Sequence, residues 1–356
     1  MRILVIVHTV SSWGGVQEWA LTLIQGLASK GYTVGVIAPT QRLIDEAKEA
    51  GARGLRSDLA ESDLSECLGW VQESGWDVIV SSPMRSREVS QYLYQKTGIP
   101  FVATFHGVYS DYVQSWKDEA GALVAVTGLL AKMVHQIGGV PLEQVAVIPN
   151  GVPESELARP GVSFEDKMEE GVLRIAMASR LDIDKLKQLE ALDNLVTLLS
   201  DQGVERVHAT IMGDGSGRGY FNSRLRELSE RNSGFTYRLS GWLSLPDMLA
   251  ELEHSTVSLT AGRTALHSLA VGTPVIGVGA REYVGLFASS HVDAIADSNF
   301  GDYFTPQGFE PTADLSLLLN PGSYAQLAAK GREWVRQCYT AESMIESFEN
   351  LLARIV

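Results

Sequence analysis

Cysteine is nearly absent: Cys67 and Cys338 are the only two in 356 residues. So few thiols exclude a disulfide framework and make a reducing cytoplasm the expected setting. Long apolar runs are missing too, and none reaches the length of a membrane span. The N-terminal run at 3–7 is too short for the apolar part of a signal peptide, and no small-residue cleavage site follows it. It reads as a first strand. Basic charge is scarce, with 29 Lys and Arg against 43 Asp and Glu and a net charge of −14. That balance excludes nucleic acid as a bulk partner, because neutralising its backbone takes basic surface. A local basic pocket for a small anion stays compatible with it. No Gly-x-Gly-x-x-Gly spacing marks a nicotinamide site, and no Gly-x-Ser-x-Gly elbow marks a hydrolase. His8, His135, His208 and His254 lack the spacing of zinc ligands.

What is present is repeated alternation. Short apolar runs at 3–7, 33–37, 78–81, 101–104, 123–126 and 145–148 read as buried strands, separated by amphipathic stretches at 18–29, 43–50 and 64–74. A second series of strands is expected at 173–178, 208–212, 236–239, 257–259 and 274–278, with helices at 187–202, 219–230, 245–253 and 263–270. Strand–helix alternation predicts parallel sheets covered by helices on both faces, and the length accommodates two cores. Residues 152–171 are polar and acidic and contain Pro153, Pro160 and Gly161, the composition of an inter-domain linker. The division expected is 1–160, 161–335, and a closing helix within 336–356.

Several motifs sit where strands end. Arg180 and Lys185 follow the run 172–178. Two cations leaving the carboxyl end of a parallel strand suit a diphosphate: Arg offers a planar fork of donors and Lys a mobile point charge. Gly14-Gly15 lies between the first strand and first helix, allowing close approach of a ligand to a helix start. His106, in Thr104-Phe105-His106-Gly107, and the Gly213-Asp214-Gly215 turn each follow further strands. Asp182 and Asp184 lie between the two cations and read as their partners or as helix caps rather than as metal ligands. Trp13, Tyr109, Tyr112 and Trp116 could stack on a sugar or belong to the packing.

Together these segments, with Ile148-Pro149-Asn150-Gly151-Val152 and the run from Leu269 through Gly272-Thr273-Pro274 to Ile276, resemble the GT-B glycosyltransferases of the retaining family 4 type. The resemblance implies an α/β protein with two Rossmann-like domains facing each other across a cleft. A nucleoside-diphosphate sugar would be held mainly by the second domain. The acceptor (a small molecule, glycan, lipid-linked molecule or protein) would sit against the first. Arg180 and Lys185 would hold the diphosphate, with amides at Gly14 and Gly15 reaching it from the other domain. His106 would lie near the transferred sugar as the candidate catalytic residue. Gly213, Asp214, Gly215, Gly262, Arg263 and His267 complete the expected donor site. No cofactor or metal is expected, since placed cations can stabilise the departing diphosphate.

One part of the family pattern is broken. Two glutamates eight residues apart, around a Phe-Gly pair, are replaced by Leu259 and His267, with Ala261 at the Phe position and Gly262 retained. The family's first glutamate faces the transferred sugar and its second contacts the ribose. His267 is therefore expected to pair with a ribose hydroxyl, which a neutral imidazole can do as donor or acceptor. Two other readings accompany the transferase: a non-hydrolysing nucleotide-sugar epimerase, and a catalytically silent glycosyltransferase-like partner. The lost glutamates favour the latter.

Overall fold

A computed structural model describes residues 1–9, 13–82, 84–288 and 291–356. Residues 11 and 12 of the first glycine loop therefore lie outside the described residues. The chain divides into two compact units, one formed by Met1–Pro153 with Tyr339–Val356 and the other by Glu154–Cys338.

The first unit carries strands β1 (Arg2–Ile6), β2 (Thr33–Ala38), β3 (Arg53–Arg56), β4 (Val78–Ser81), β5 (Phe101–Phe105), β6 (Ala122–Ala125) and β7 (Val145–Val147). They form one sheet in the order β3-β2-β1-β4-β5-β6-β7, all parallel. Ile3, Leu4, Val5 and Ile6 are fully buried because β1 is central and covered on both faces. The chain runs outward from β1 through β2 to β3, then returns to place β4 on the other side. β1 and β4 thus flank the topological switch point, where open α/β sheets bind ligands at their carboxyl ends.

The second unit repeats the plan with β8 (Leu173–Ala178), β9 (Val207–Met212), β10 (Phe235–Gly241), β11 (Val257–Thr260), β12 (Val275–Val278) and β13 (Tyr283–Leu286). Their order is β10-β9-β8-β11-β12-β13, and only β13 runs antiparallel. Here β8 and β11 flank the switch point. Leu259, on β11, is fully buried among Ile175, Leu189, Leu192 and Ile276. The position of the family's first glutamate is core in this chain.

The stretch 152–171 is not a free linker. Val152 pairs with Thr340, and short helices form at Glu154–Leu157 and Phe164–Lys167. Glu156, Leu157 and Lys167 are buried, and the Phe164 ring packs 5.0 Å from that of Tyr324. Two of its charged residues are partnered within the fold: Arg159 pairs with Glu253, and Lys167 Nζ donates to Thr273 Oγ1 at 2.6 Å. Gly151, of the Pro-Asn-Gly-Val run, lies so close to helix Ala341–Leu352 that a Cβ would come within 2.5 Å of the Ala341 Cα. Its role in the fold is to let the last helix seat against the first unit.

Candidate donor site

In the second unit, the loops after β8 and β9 are built against each other. Gly213 has φ +133°, and a Cβ there would lie 1.9 Å from the Ser179 carbonyl oxygen. A Cβ on Gly215 or Gly217 would come within 2.7 Å of the Leu181 oxygen. The backbone bonds Leu181 N to Asp214 O and Gly217 N to Leu181 O close this apposition. These glycines answer to the neighbouring loop, a demand that holds with or without a ligand. Asp214 accepts from Gly215 N and pairs with Arg218 at 2.8 Å.

Asp182 anchors the same apposition. Its Oδ1 accepts from the amide and hydroxyl of Ser216, and its Oδ2 from Arg180 at 3.0 Å. The Ser216 bonds, aided by the Arg180 charge, hold the Asp182 carboxyl below its ordinary range. Arg180 also faces Asp184 at 3.8 Å, and its guanidinium stays 44% exposed. Lys185 differs. It ends the turn Ile183–Lys185, is buried, and donates to Asp302 Oδ1 at 2.6 Å. Asp302 Oδ1 also accepts from Ala280 N at 3.0 Å.

Asp302 was not read from the sequence. It lies 117 residues from Lys185, and no spacing links the two. It is delivered by a turn in which Asn299, Phe300 and Gly301 all have φ between +53° and +96°. Such consecutive left-handed residues persist only where packing over-determines them. Phe300 supplies that packing, buried against Phe287 with ring centroids 5.4 Å apart.

On the other side of β8, Gly262 opens helix Gly262–Ala270 at φ +62°, a conformation that favours glycine. Its amide donates to Asn299 O at 3.1 Å, and a Cβ would lie 3.5 Å from Asp302 Oδ2. Lys185, Gly262, Asn299 and Asp302 are therefore brought together at the carboxyl edge of this sheet. Arg263 and His267 stand one helical turn apart and are both buried. His267 Nδ1 is 2.6 Å from Glu156 Oε2, so the ring nitrogen donates to the carboxylate. Glu156 comes from the stretch taken as linker, and sequence reasoning missed it for that reason.

In the first unit, Gly14 caps helix Gly15–Ser29, with Glu18 N donating to its carbonyl at 3.1 Å. The Trp13 ring lies under the Arg42 guanidinium at 3.7 Å. His106 follows β5; its amide donates to the Tyr109 hydroxyl, and its ring meets that of Trp19 edge-on at 4.4 Å. Burial pushes the Tyr109 hydroxyl well above its ordinary value. Of the aromatic residues singled out, Trp116 is core, nearly parallel to Phe105, whereas Tyr112 is 81% exposed.

This geometry defines a class. Two parallel Rossmann-like sheets, each with loops gathered at its switch point, match the GT-B glycosyltransferase fold. A glycosyltransferase from Rickettsia africae aligns at TM-score 0.75 and 20% identity over 99% of this chain and 98% of that one. HepE of Anabaena, solved in complex with UDP-glucose, aligns at 0.71 and 14% over 99% and 100%. Sucrose-phosphate synthase of Thermosynechococcus elongatus aligns at 0.72 and 14% over 100% and 99%. Residues 13–156 match the model of Glycosyltransferase Family 4. No curated protein matches it by sequence.

Proposed function

We propose that this protein is a glycosyltransferase that moves a sugar from a nucleoside-diphosphate donor to an acceptor, with retention and without a metal ion. The observation that carries the reading is Lys185: a buried cation at the switch point of the second unit, with Arg180 half-exposed beside the same strand end. When the bond from the anomeric carbon to the diphosphate oxygen breaks, negative charge gathers on the leaving group. Lys185 and Arg180 would stabilise that charge from fixed positions, which is the electrostatic route to rate enhancement. The UDP-glucose complex of HepE, a protein of the same fold, is consistent with this assignment. His106 is assigned to the sugar, and Gly14 and Gly15 to the diphosphate, on the family resemblance.

A panel of UDP, GDP, UDP-glucose, UDP-galactose and GDP-mannose, titrated by calorimetry, tests the donor site directly. Replacing Lys185 with Ala should weaken the best-binding nucleoside diphosphate by roughly 10-fold or more, through loss of a charge-assisted bond in a shielded place. Arg180→Ala should cost less, because its guanidinium is open to water. Unchanged affinity in both variants would remove the reading. The silent-partner alternative has its own support: the Gly262 amide is already taken by Asn299 and His267 by Glu156. Donor binding with no release of nucleoside diphosphate from any nucleotide sugar, even on prolonged incubation, would select it.

A further inference from the structure

We propose that Asp302 is the residue through which this chain recognises the donor sugar, its Oδ2 accepting a hydrogen bond from a sugar hydroxyl. The inference rests on the donor-site reading above and specifies how the sugar end of that donor is held.

The carboxylates at this sheet edge are not equivalent. Asp182 has both oxygens engaged, by Ser216 and Arg180, and so does Asp214, by Gly215 N and Arg218. Asp302 uses only Oδ1, which accepts from Lys185 Nζ and Ala280 N. Its Oδ2 accepts nothing from the described residues and faces Gly262, where a Cβ would stand 3.5 Å away. Glycine at 262 thus keeps open the space in front of that oxygen. The side chain retains 24% exposure, so a ligand can reach it.

This placement is enforced rather than incidental. A Cβ on Gly279 would lie 2.2 Å from Asp302 N, and one on Gly301 would lie 2.3 Å from Glu282 O. The amides of Arg281 and Glu282 both donate to Gly301 O. The loop after β12 and the left-handed turn at 299–301 are therefore interlocked, and Asp302 is fixed where they meet.

Chemistry selects the group that an open carboxylate oxygen can take. An ionised carboxylate is an acceptor only, so it repels a phosphate and takes a hydroxyl or an amine. Lys185 has three N–H donors and spends one on Asp302, which leaves two for phosphate oxygens. The ammonium would then sit between carboxylate and diphosphate, with the diphosphate on its free side and the sugar hydroxyl on Oδ2. A neutral sugar bearing hydroxyl donors is the class of group that this arrangement fits.

The test compares each nucleotide sugar with its own parent diphosphate. Calorimetric titrations of wild type, Asp302→Asn and Asp302→Ala would use the best-binding nucleotide sugar of the panel above and the matching UDP or GDP. Asp302→Ala should weaken the nucleotide sugar by roughly 10-fold relative to the diphosphate, and Asp302→Asn by roughly 3-fold, since a neutral acceptor is weaker than a charged one. The diphosphate alone should bind as well as before or better, because Lys185 is released. Asn is near-isosteric and carries the test if the Ala variant unfolds. Equal changes for sugar and diphosphate would overturn the assignment while leaving the donor site standing. Failure of wild type to bind any nucleoside diphosphate would overturn both.

Discussion

At the residue scale, His267 shows how a partner from a distant segment changes the meaning of a side chain. Family resemblance assigns it to a ribose hydroxyl, yet its Nδ1 is bonded to a buried carboxylate of Glu156. A glutamate at 267 would place two carboxylates together in a region shut off from water. We expect His267→Glu to lower unfolding free energy by on the order of 3 kcal/mol, the scale of an unpaired buried charge, and His267→Gln by less. Urea unfolding at neutral pH measures this, and the deficit should shrink in acid as one carboxylate takes a proton. A stable His267→Glu variant would mean that the pair does not hold the two helices. Leu259 makes the opposite point: its replacement of a glutamate is a packing event, with the side chain fully buried in the second unit's core.

At the scale of elements, the strands with apolar runs were legible, because burial on both faces of a parallel strand leaves a continuous hydrophobic signature. Two strands carried no such signature. β3 is the edge sequence Arg-Gly-Leu-Arg, with no buried residue, and β13 is a four-residue antiparallel addition, buried at three positions but too short, and interrupted by Gly285, to stand out as an apolar run. Helices Arg85–Thr97, Gly128–Gly138 and Pro321–Cys338 were likewise not assigned. In the last of these, Gly331 interrupts the pattern for a tertiary reason, since a Cβ there would strike Leu269 at 2.7 Å.

The segment 152–171 misled composition for a related cause: two of its charged residues, Glu156 and Lys167, are buried, and Arg159 is paired with Glu253. Lys167 is the clearest case. Burial drives its pKa down from 10.5 to about 7, against a smaller upward pull from Glu253. A lysine whose folded pKa is depressed binds fewer protons in the native state than in the unfolded state. Its cost is therefore absent above about pH 10.5, grows as pH falls towards 7, and is constant below that. Lys167→Met should accordingly stabilise the protein by on the order of 1–2 kcal/mol at pH 7 and below, with the gain fading towards pH 10. Thermal unfolding across that pH range checks it, and a gain independent of pH would refute a buried, titrating ammonium.

At the scale of the whole molecule, net charge and ligand linkage decide what can be observed. With −14 charges overall, an anionic donor is drawn only to the local cations of its site, so added salt should weaken binding modestly and uniformly. A nucleoside diphosphate at 100 times its Kd should raise unfolding free energy by about 2.7 kcal/mol, readable as a shift in Tm. On the proposed function, donor turnover should persist in excess chelator, with Arg180 and Lys185 supplying the charge that a metal would otherwise provide. Complete loss on chelation, restored by an added divalent ion, would count against that account. No helix among the described residues is long and apolar enough to cross a membrane.

The sequence alone determined the repeated strand–helix plan, the near-absence of disulfide chemistry, and the placing of Arg180, Lys185, Gly14, Gly15 and His106 just after strands. Those features depend on local periodicity and on which residue follows which strand, and both are written linearly. Only the tertiary structure decided that Glu156 would face His267, that the 213–217 glycines would serve a neighbouring loop, and that Asp302 would meet Lys185. Each of these joins segments far apart in the chain, by 111 residues for Glu156 and His267 and 117 for Lys185 and Asp302. Contacts of that range arise from the order of strands in a sheet and from the left-handed turn at 299–301, which no nearby residue pattern specifies.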